Sequence, residues 1–242
     1  MSVSLNKYQE RIKQVVARIR QSEALVAQQA TNPSGGSSRS IKLVAASKTF
    51  PAHTIATIAA CGLTDFGENY VQEGVEKILS LKEQNISGLV WHFIGPIQSN
   101  KTRLIATHFD WVQSIDTIKI AERLSQQRPI NLPPLQVLLQ VNISAESTKR
   151  GFMPSDLPHA IASIRQLPQI TLRGLMAIPA PADNFAEQRV PFRAMKRLFD
   201  QIKASEPQFD TLSLGMSDDF EAAIQEGSTM VRIGHAIFGA RI

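Results

Sequence analysis

Lys48 is the residue whose type and setting suggest chemistry first. It follows the apolar run IKLVAAS (41–47) and precedes Thr49, Phe50 and Pro51. An amine held at the end of such a run and desolvated there has a lowered pKa, which makes it a nucleophile for Schiff-base chemistry. Taken alone, a lysine that snorkels to solvent from a strand end explains Lys48 better. Two further segments pair a glycine turn with a following polar group: Leu214-Gly215-Met216-Ser217, and Arg232-Ile233-Gly234-His235. Gly215 lets a backbone approach a ligand, and Ser217 is placed to cap the helix-like FEAAIQEG, with Asp218 and Asp219 in its first turn. Turns of this kind bind phosphate through backbone N–H groups, although a turn and a capped helix need no ligand. Asn69, in FGEN, offers donors and acceptors just after a glycine. His92 sits between large apolar residues and reads as a core histidine. The five histidines are scattered and Cys61 is the single cysteine, so a metal centre has no support.

The elements that must position these residues follow from periodicity. From residue 41 onward, eight apolar runs of strand length alternate with helix-like stretches. They are IKLVAAS (41–47), LTDFGE (63–68), LVWHFIG (89–95), FDWVQSI (109–115), LQVLLQVNI (135–143), LRGLMAI (172–178), FDTLSLGM (209–216) and MVRIGHAIF (230–238). Near-continuous apolar strands fit a parallel sheet buried on both faces. Eight strand–helix units in this length predict an α/β fold, a single (β/α)8 TIM barrel, with an open doubly wound sheet as the alternative. In such barrels the chemistry lies at the C-terminal ends of the strands, with phosphate often bound after the last two. Lys48 then follows the first strand, and the two glycine turns lie at the seventh and eighth. A Schiff-base lysine and a phosphate site together describe pyridoxal 5′-phosphate. A cationic Arg232 beside its pyridine nitrogen would disfavour ring protonation and weaken the ring as an electron sink.

Before the barrel, Leu5, Tyr8, Ile12, Val15, Val16 and Ile19 mark an amphipathic helix over 4–29, and QQATNPSGGSSRS (28–40) reads as a flexible loop. The expected domains are therefore a helix and loop packed on the barrel (1–40) and a cofactor-binding barrel (41–242). The composition, 43% hydrophobic and 19% charged over 242 residues, is that of a globular chain. One cysteine excludes an intrachain disulfide. No signal peptide and no run of about 18 apolar residues is present, so the expectation is a cytoplasmic protein without a membrane partner. The net charge of +5 invites nucleic acid, but no dense basic run supports it and a solvated basic surface is expected instead.

The segments AASKTFP (45–51), DFGENYVQE (65–73), WHFIGPIQSNK (91–101), LRGLMAIP (172–179) and GMSDDFEAAIQEGSTMVRIGHAIFG (215–239) resemble the YggS/PROSC family of pyridoxal 5′-phosphate homeostasis proteins. The resemblance covers the chain from about residue 41 onward. It implies a modified TIM barrel of fold type III, like the N-terminal domain of alanine racemase. It also implies that Lys48 carries the cofactor as an aldimine and that Asn69 lies near the ring. Ser217, Gly234 and His235 would serve the phosphate, His235 through its backbone N–H, and Arg232 the pyridine nitrogen. The function expected is homeostasis of the cofactor, by buffering or by delivery to apo-enzymes, without efficient catalysis. Alanine racemases add an all-β domain and a tyrosine base, and a chain ending at Ile242 with only Tyr8 and Tyr70 is expected to lack both. A monomer follows from the same reasoning. The alternative is an amino-acid racemase or related enzyme with Lys48 as its base.

Overall fold

In the computed structural model, residues 2–29, 40–144, 146 and 149–239 are described. The loop expected at 28–40 lies almost wholly outside them. The helix α1 (Ser2–Gln29) comes first. Its residues Ile12, Val15, Ile19 and Ser22, spaced three and four apart, are buried, and it packs on α2, α8 and α9, defined below.

The strands β1 (Lys42–Ala46), β2 (Asp65–Glu68), β3 (Val90–Phe93), β4 (Trp111–Ile115), β5 (Leu135–Gln140), β6 (Ile170–Met176), β7 (Thr211–Ser213) and β8 (Met230–Ile233) alternate with helices. These are α2 (Ala52–Ala60), α3 (Val71–Glu83), α4 (Thr102–His108), α5 (Ile118–Gln127), α6 (Leu157–Ile164), α7 (Phe185–Ser205), α8 (Phe220–Gln225) and α9 (His235–Phe238). The eight strands form a closed parallel barrel in sequence order. Closure runs through β1 and β8, where Lys42, Leu43, Val44 and Ala45 face Met230, Val231, Arg232 and Ile233. The expected (β/α)8 barrel with an extra N-terminal helix is therefore the observed fold, and the open sheet is excluded.

The apolar strands are explained by two separate cores. The larger joins the outer strand faces to the helices and includes Phe66, Phe93, Ile105, Leu124 and Phe199. The smaller comprises Val44, Trp111, Leu138, Met176 and Met230. Its members come from five different strands and, among the described residues, none comes from a helix, which places them in the lumen. Burial on both faces produces the continuous runs.

Two boundaries differ from expectation. MVRIGHAIF is not one strand: β8 stops at Ile233, and the Ile237 and Phe238 amides donate back to the Gly234 carbonyl to start α9. Ile237 and Phe238 of α9 are buried, so hydrophobicity continues while the backbone changes state. Likewise FDTLSLGM contains only the three-residue β7, because Gly215, at φ 92°, turns the chain out of the sheet.

Candidate functional site

The six residues singled out in the sequence follow, or belong to, four adjacent strands: β7, β8, β1 and β2. Ser217 lies after β7, Arg232 in β8, Gly234 and His235 after β8, Lys48 after β1 and Asn69 after β2. All but Arg232 thus gather on the C-terminal rim. Gly234 approaches β1 so closely that a Cβ on it would lie 3.3 Å from the Ala46 carbonyl, two residues before Lys48.

Lys48 is half-buried, and the turn that carries it is held from both sides. The Ser47 amide donates to the Gly67 carbonyl at 2.8 Å, and its hydroxyl donates to Glu68 Oε1 at 2.6 Å. Lys77 Nζ, from α3, donates to the Ser47 carbonyl at 2.9 Å and to both Glu68 oxygens at 2.9 and 3.0 Å. Lys77 also reaches Glu73 Oε1 at 2.5 Å, the same oxygen that accepts the Thr49 amide at 2.5 Å. Thr49 sits at φ 71°, a left-handed conformation that a β-branched residue takes only when its surroundings hold it. Burial pushes the Glu68 carboxyl up, against the pull of Lys77 and the Ser47 hydroxyl. Glu68, Glu73 and Lys77 were not legible as site residues. The signal was a polar Glu68 at the end of a wholly buried strand, and a lysine at the i+4 position from Glu73.

The two glycine turns are joined to each other. Ser217 does not cap α8: its Oγ accepts from the Ala236 amide in the first turn of α9 at 3.3 Å. Asp219 takes the N-cap position of α8, and its Oδ1 accepts from the Met216 amide at 2.6 Å. Asp218 and Asp219 are thus not the first helical residues, because the Gly215 turn consumes two more residues than the motif suggests. Asp218 is exposed, while burial pushes the Asp219 carboxyl up. A Cβ on Gly215 would meet the Phe220 Cα at 2.8 Å, so the turn packs on α8 only as glycine. The side chain of His235 is exposed and opens α9, which leaves its backbone as the part that faces the turn.

Arg232 is buried beneath these turns. Its Nη1 donates to the Ser213 carbonyl at 2.9 Å and to Ser213 Oγ at 2.6 Å, and its Nη2 donates to the Ala177 carbonyl at 3.1 Å. Burial pushes the guanidinium down to about 10, with Asp219 pulling the other way. It therefore stays a cation at neutral pH. Asn69 supplies the clearest sign of a missing partner: its side-chain Oδ1 is buried with no hydrogen-bond partner. An unmatched buried acceptor at the rim beside Lys48 suits a bound group that donates a proton. Among the described residues no cluster of His, Cys, Asp or Glu could hold a metal ion. As expected, His92 is a satisfied core histidine, bonded on both ring nitrogens.

The fold and rim define a closed (β/α)8 barrel that gathers two coupled glycine turns and a lysine on a clamped turn at one end of adjacent strands. Comparison with known proteins agrees. The family model for the alanine racemase N-terminal domain matches residues 38–242. The pyridoxal phosphate homeostasis protein of Haemophilus influenzae is 58% identical over 203 residues, covering 83% of this chain and 85% of that protein. That of Escherichia coli K12 is 56% identical over 207 residues, covering 86% and 88%. The structure of PipY from Synechococcus elongatus PCC7942 with PLP bound superposes with a TM-score of 0.75 at 33% identity, covering 90% of this chain and 99% of PipY. The chain belongs to the alanine racemase N-terminal domain family and, within it, to the pyridoxal phosphate homeostasis proteins.

Proposed function

We propose that this chain binds pyridoxal 5′-phosphate at the β7–β8–β1–β2 rim and serves cofactor homeostasis, by buffering it or delivering it to apo-enzymes, without efficient catalysis. The observation that carries this reading is the convergence of a clamped Lys48, two coupled glycine turns and the unmatched Asn69 Oδ1 on one end of four adjacent strands. The relatives' name, and PipY's structure with PLP bound, support it.

When bound, the cofactor supplies an electrophilic aldehyde and an electron-withdrawing ring. Lys48 would be the amine that meets this aldehyde. The Ser47–Glu68–Lys77–Glu73 clamp would hold the turn that presents the amine. Ser217, Gly234 and the His235 amide would hold the phosphate, and Asn69 the ring substituents. Arg232 would serve the ring nitrogen. A guanidinium only donates, so it would leave that nitrogen unprotonated and the ring a weak electron sink. This is the physical reason to expect storage rather than turnover. The division into an arm (1–40) and a cofactor-binding barrel (41–242), a cytoplasmic location, a monomeric state and the absence of nucleic-acid binding belong to the same reading.

Borohydride tests it. Treatment of protein mixed with pyridoxal 5′-phosphate should fix one cofactor on Lys48, located by peptide mass spectrometry, and Lys48→Ala should take up none. Protein that gains no cofactor absorbance overturns the reading. Appearance of D-isomers from L-amino acids, lost in Lys48→Ala, would establish the racemase alternative in its place.

A further inference from the structure

Beneath Arg232 the lumen holds a polar chain that crosses the barrel. Ser213 Oγ, which accepts from Arg232, donates to Gln113 Oε1 at 2.7 Å. Gln113 Nε2 bonds His92 Nδ1 at 3.0 Å, and His92 Nε2 bonds Asp65 Oδ1 at 2.9 Å. Lys42 Nζ, at the N-terminal end of β1, closes the far end on the same Asp65 oxygen at 3.1 Å. The links come from β8, β7, β4, β3 and β2, and His92, Gln113, Ser213 and Arg232 are all buried.

The chain has one direction. An arginine only donates and a carboxylate only accepts, so both ends are set. With a single proton on His92, the middle groups, which could each be read two ways, then have one solution. The Ser213 hydroxyl gives its proton to Gln113, the Gln113 amide gives an N–H to His92 Nδ1, and His92 carries its own proton on Nε2 and gives it to Asp65. Aligned donors of this kind strengthen one another in a low-dielectric interior, and a break anywhere leaves a buried group unmatched. Alone, Ser213 Oγ could turn its proton elsewhere; tied to Gln113, its lone pair stays on Arg232.

We propose that His92 and Gln113 are positioning residues for Arg232, acting through Ser213: the lumen relay holds the guanidinium in one orientation below the rim. Arg232 matters to the cofactor only on the reading above, but its orientation is a property of the ligand-free protein and can be measured there.

Nitrogen-15 NMR on ligand-free protein reads it out, through exchange of the Arg232 guanidinium protons and the tautomer of His92. His92→Leu and Gln113→Leu, which cut the relay without touching Arg232, should speed that exchange roughly tenfold, the equivalent of one buried hydrogen bond of about 1.4 kcal/mol. His92→Gln keeps one acceptor and one donor and should restore the wild-type rate. If Gln113→Leu does not fold, Gln113→Glu carries the same test. It still accepts from Ser213 but cannot donate to Nδ1, and should draw a second proton onto His92 at Nδ1, which the nitrogen-15 shifts of the ring report. Combining Gln113→Leu with Ser213→Ala should be no worse than the more severe single change. Exchange that changes only in Ser213→Ala, or equally in His92→Gln and His92→Leu, overturns the relay. A second arm loads pyridoxal 5′-phosphate and follows the absorbance band against pH, which should move in the cut variants and not in His92→Gln. A wild-type protein that binds no cofactor would remove the proposed function, while the exchange data still decide the relay.

Discussion

At the scale of single residues, Lys77 does most to present Lys48, although it lies on a different element. It is almost wholly buried, and three acceptors surround its ammonium: the Ser47 carbonyl, Glu68 and Glu73. Lys77→Met should strand the Glu68 carboxylate in an apolar setting, where breaking a buried pair costs about 3–5 kcal/mol. Urea unfolding should therefore show a lower midpoint, and borohydride labelling of Lys48 should slow as the Thr49 turn loosens. An unchanged midpoint would show that Glu68 is matched by other means. Gly95 is a second sensitive point. A Cβ there would stand 2.2 Å from the Asn69 carbonyl oxygen. Gly95→Ala should push the Asn69 loop outward and destabilise by roughly 2 kcal/mol, as overpacking does, with a matching drop in cofactor affinity measured by fluorescence titration.

At the scale of elements, α1 braces the turns from outside the barrel. Arg11 Nη1 donates to the Phe238 carbonyl at 2.7 Å and so satisfies the C-terminal end of α9. Arg18 lies 4.5 Å from the centre of the Phe220 ring and bonds Glu221 at 2.6 Å, both at the start of α8. α8 and α9 are only six and four residues long, too short to be stable by propensity, so their order depends on such contacts. Arg11→Met should cost about 1 kcal/mol of stability by removing a cation from a helix C-terminus. It should weaken phosphate-end binding several-fold and leave labelling of Lys48 at saturating cofactor intact. Equal affinity for inorganic phosphate and for the cofactor in wild type and variant would show that α1 has no hold on the site.

At the scale of the molecule, acid stability is set inside the lumen. Burial would raise the Asp65 carboxyl, but the His92 hydrogen bond and charge and Lys42 outweigh it and hold it at about 2. A carboxyl depressed from 3.8 contributes stability above that value and loses it as pH falls toward about 2, an amount of about 2 kcal/mol. Burial holds His92 below 6.5, so the unfolded chain takes up the proton first and stability begins to fall below that pH. Denaturant melts from pH 7 to 3 should show a steady loss below 6.5 that His92→Gln flattens; an unaltered slope would locate that loss elsewhere. On the outer face, Arg165 pairs with Glu206, and Arg189 and Arg193 pair with Glu226.

The repeating units, the strand-end lysine and the paired glycine turns were legible because they are local. Apolar runs give the strands, period 3.6 gives the helices, and a glycine marks a turn within a few residues of the group it serves. The clamp on Lys48 and the lumen relay were not. In a strand buried on both faces the alternation that separates one face from the other disappears, so nothing in WVQSI or TLSLG says that Gln113 and Ser213 point inward. Nor does sequence spacing bring Asp65, His92, Gln113, Ser213 and Arg232 together: 100 residues separate Gln113 from its partner Ser213. Closure of the barrel does, since β8 returns to β1 and the lumen between them has room for one connected set of polar groups, whose members must satisfy one another because water cannot.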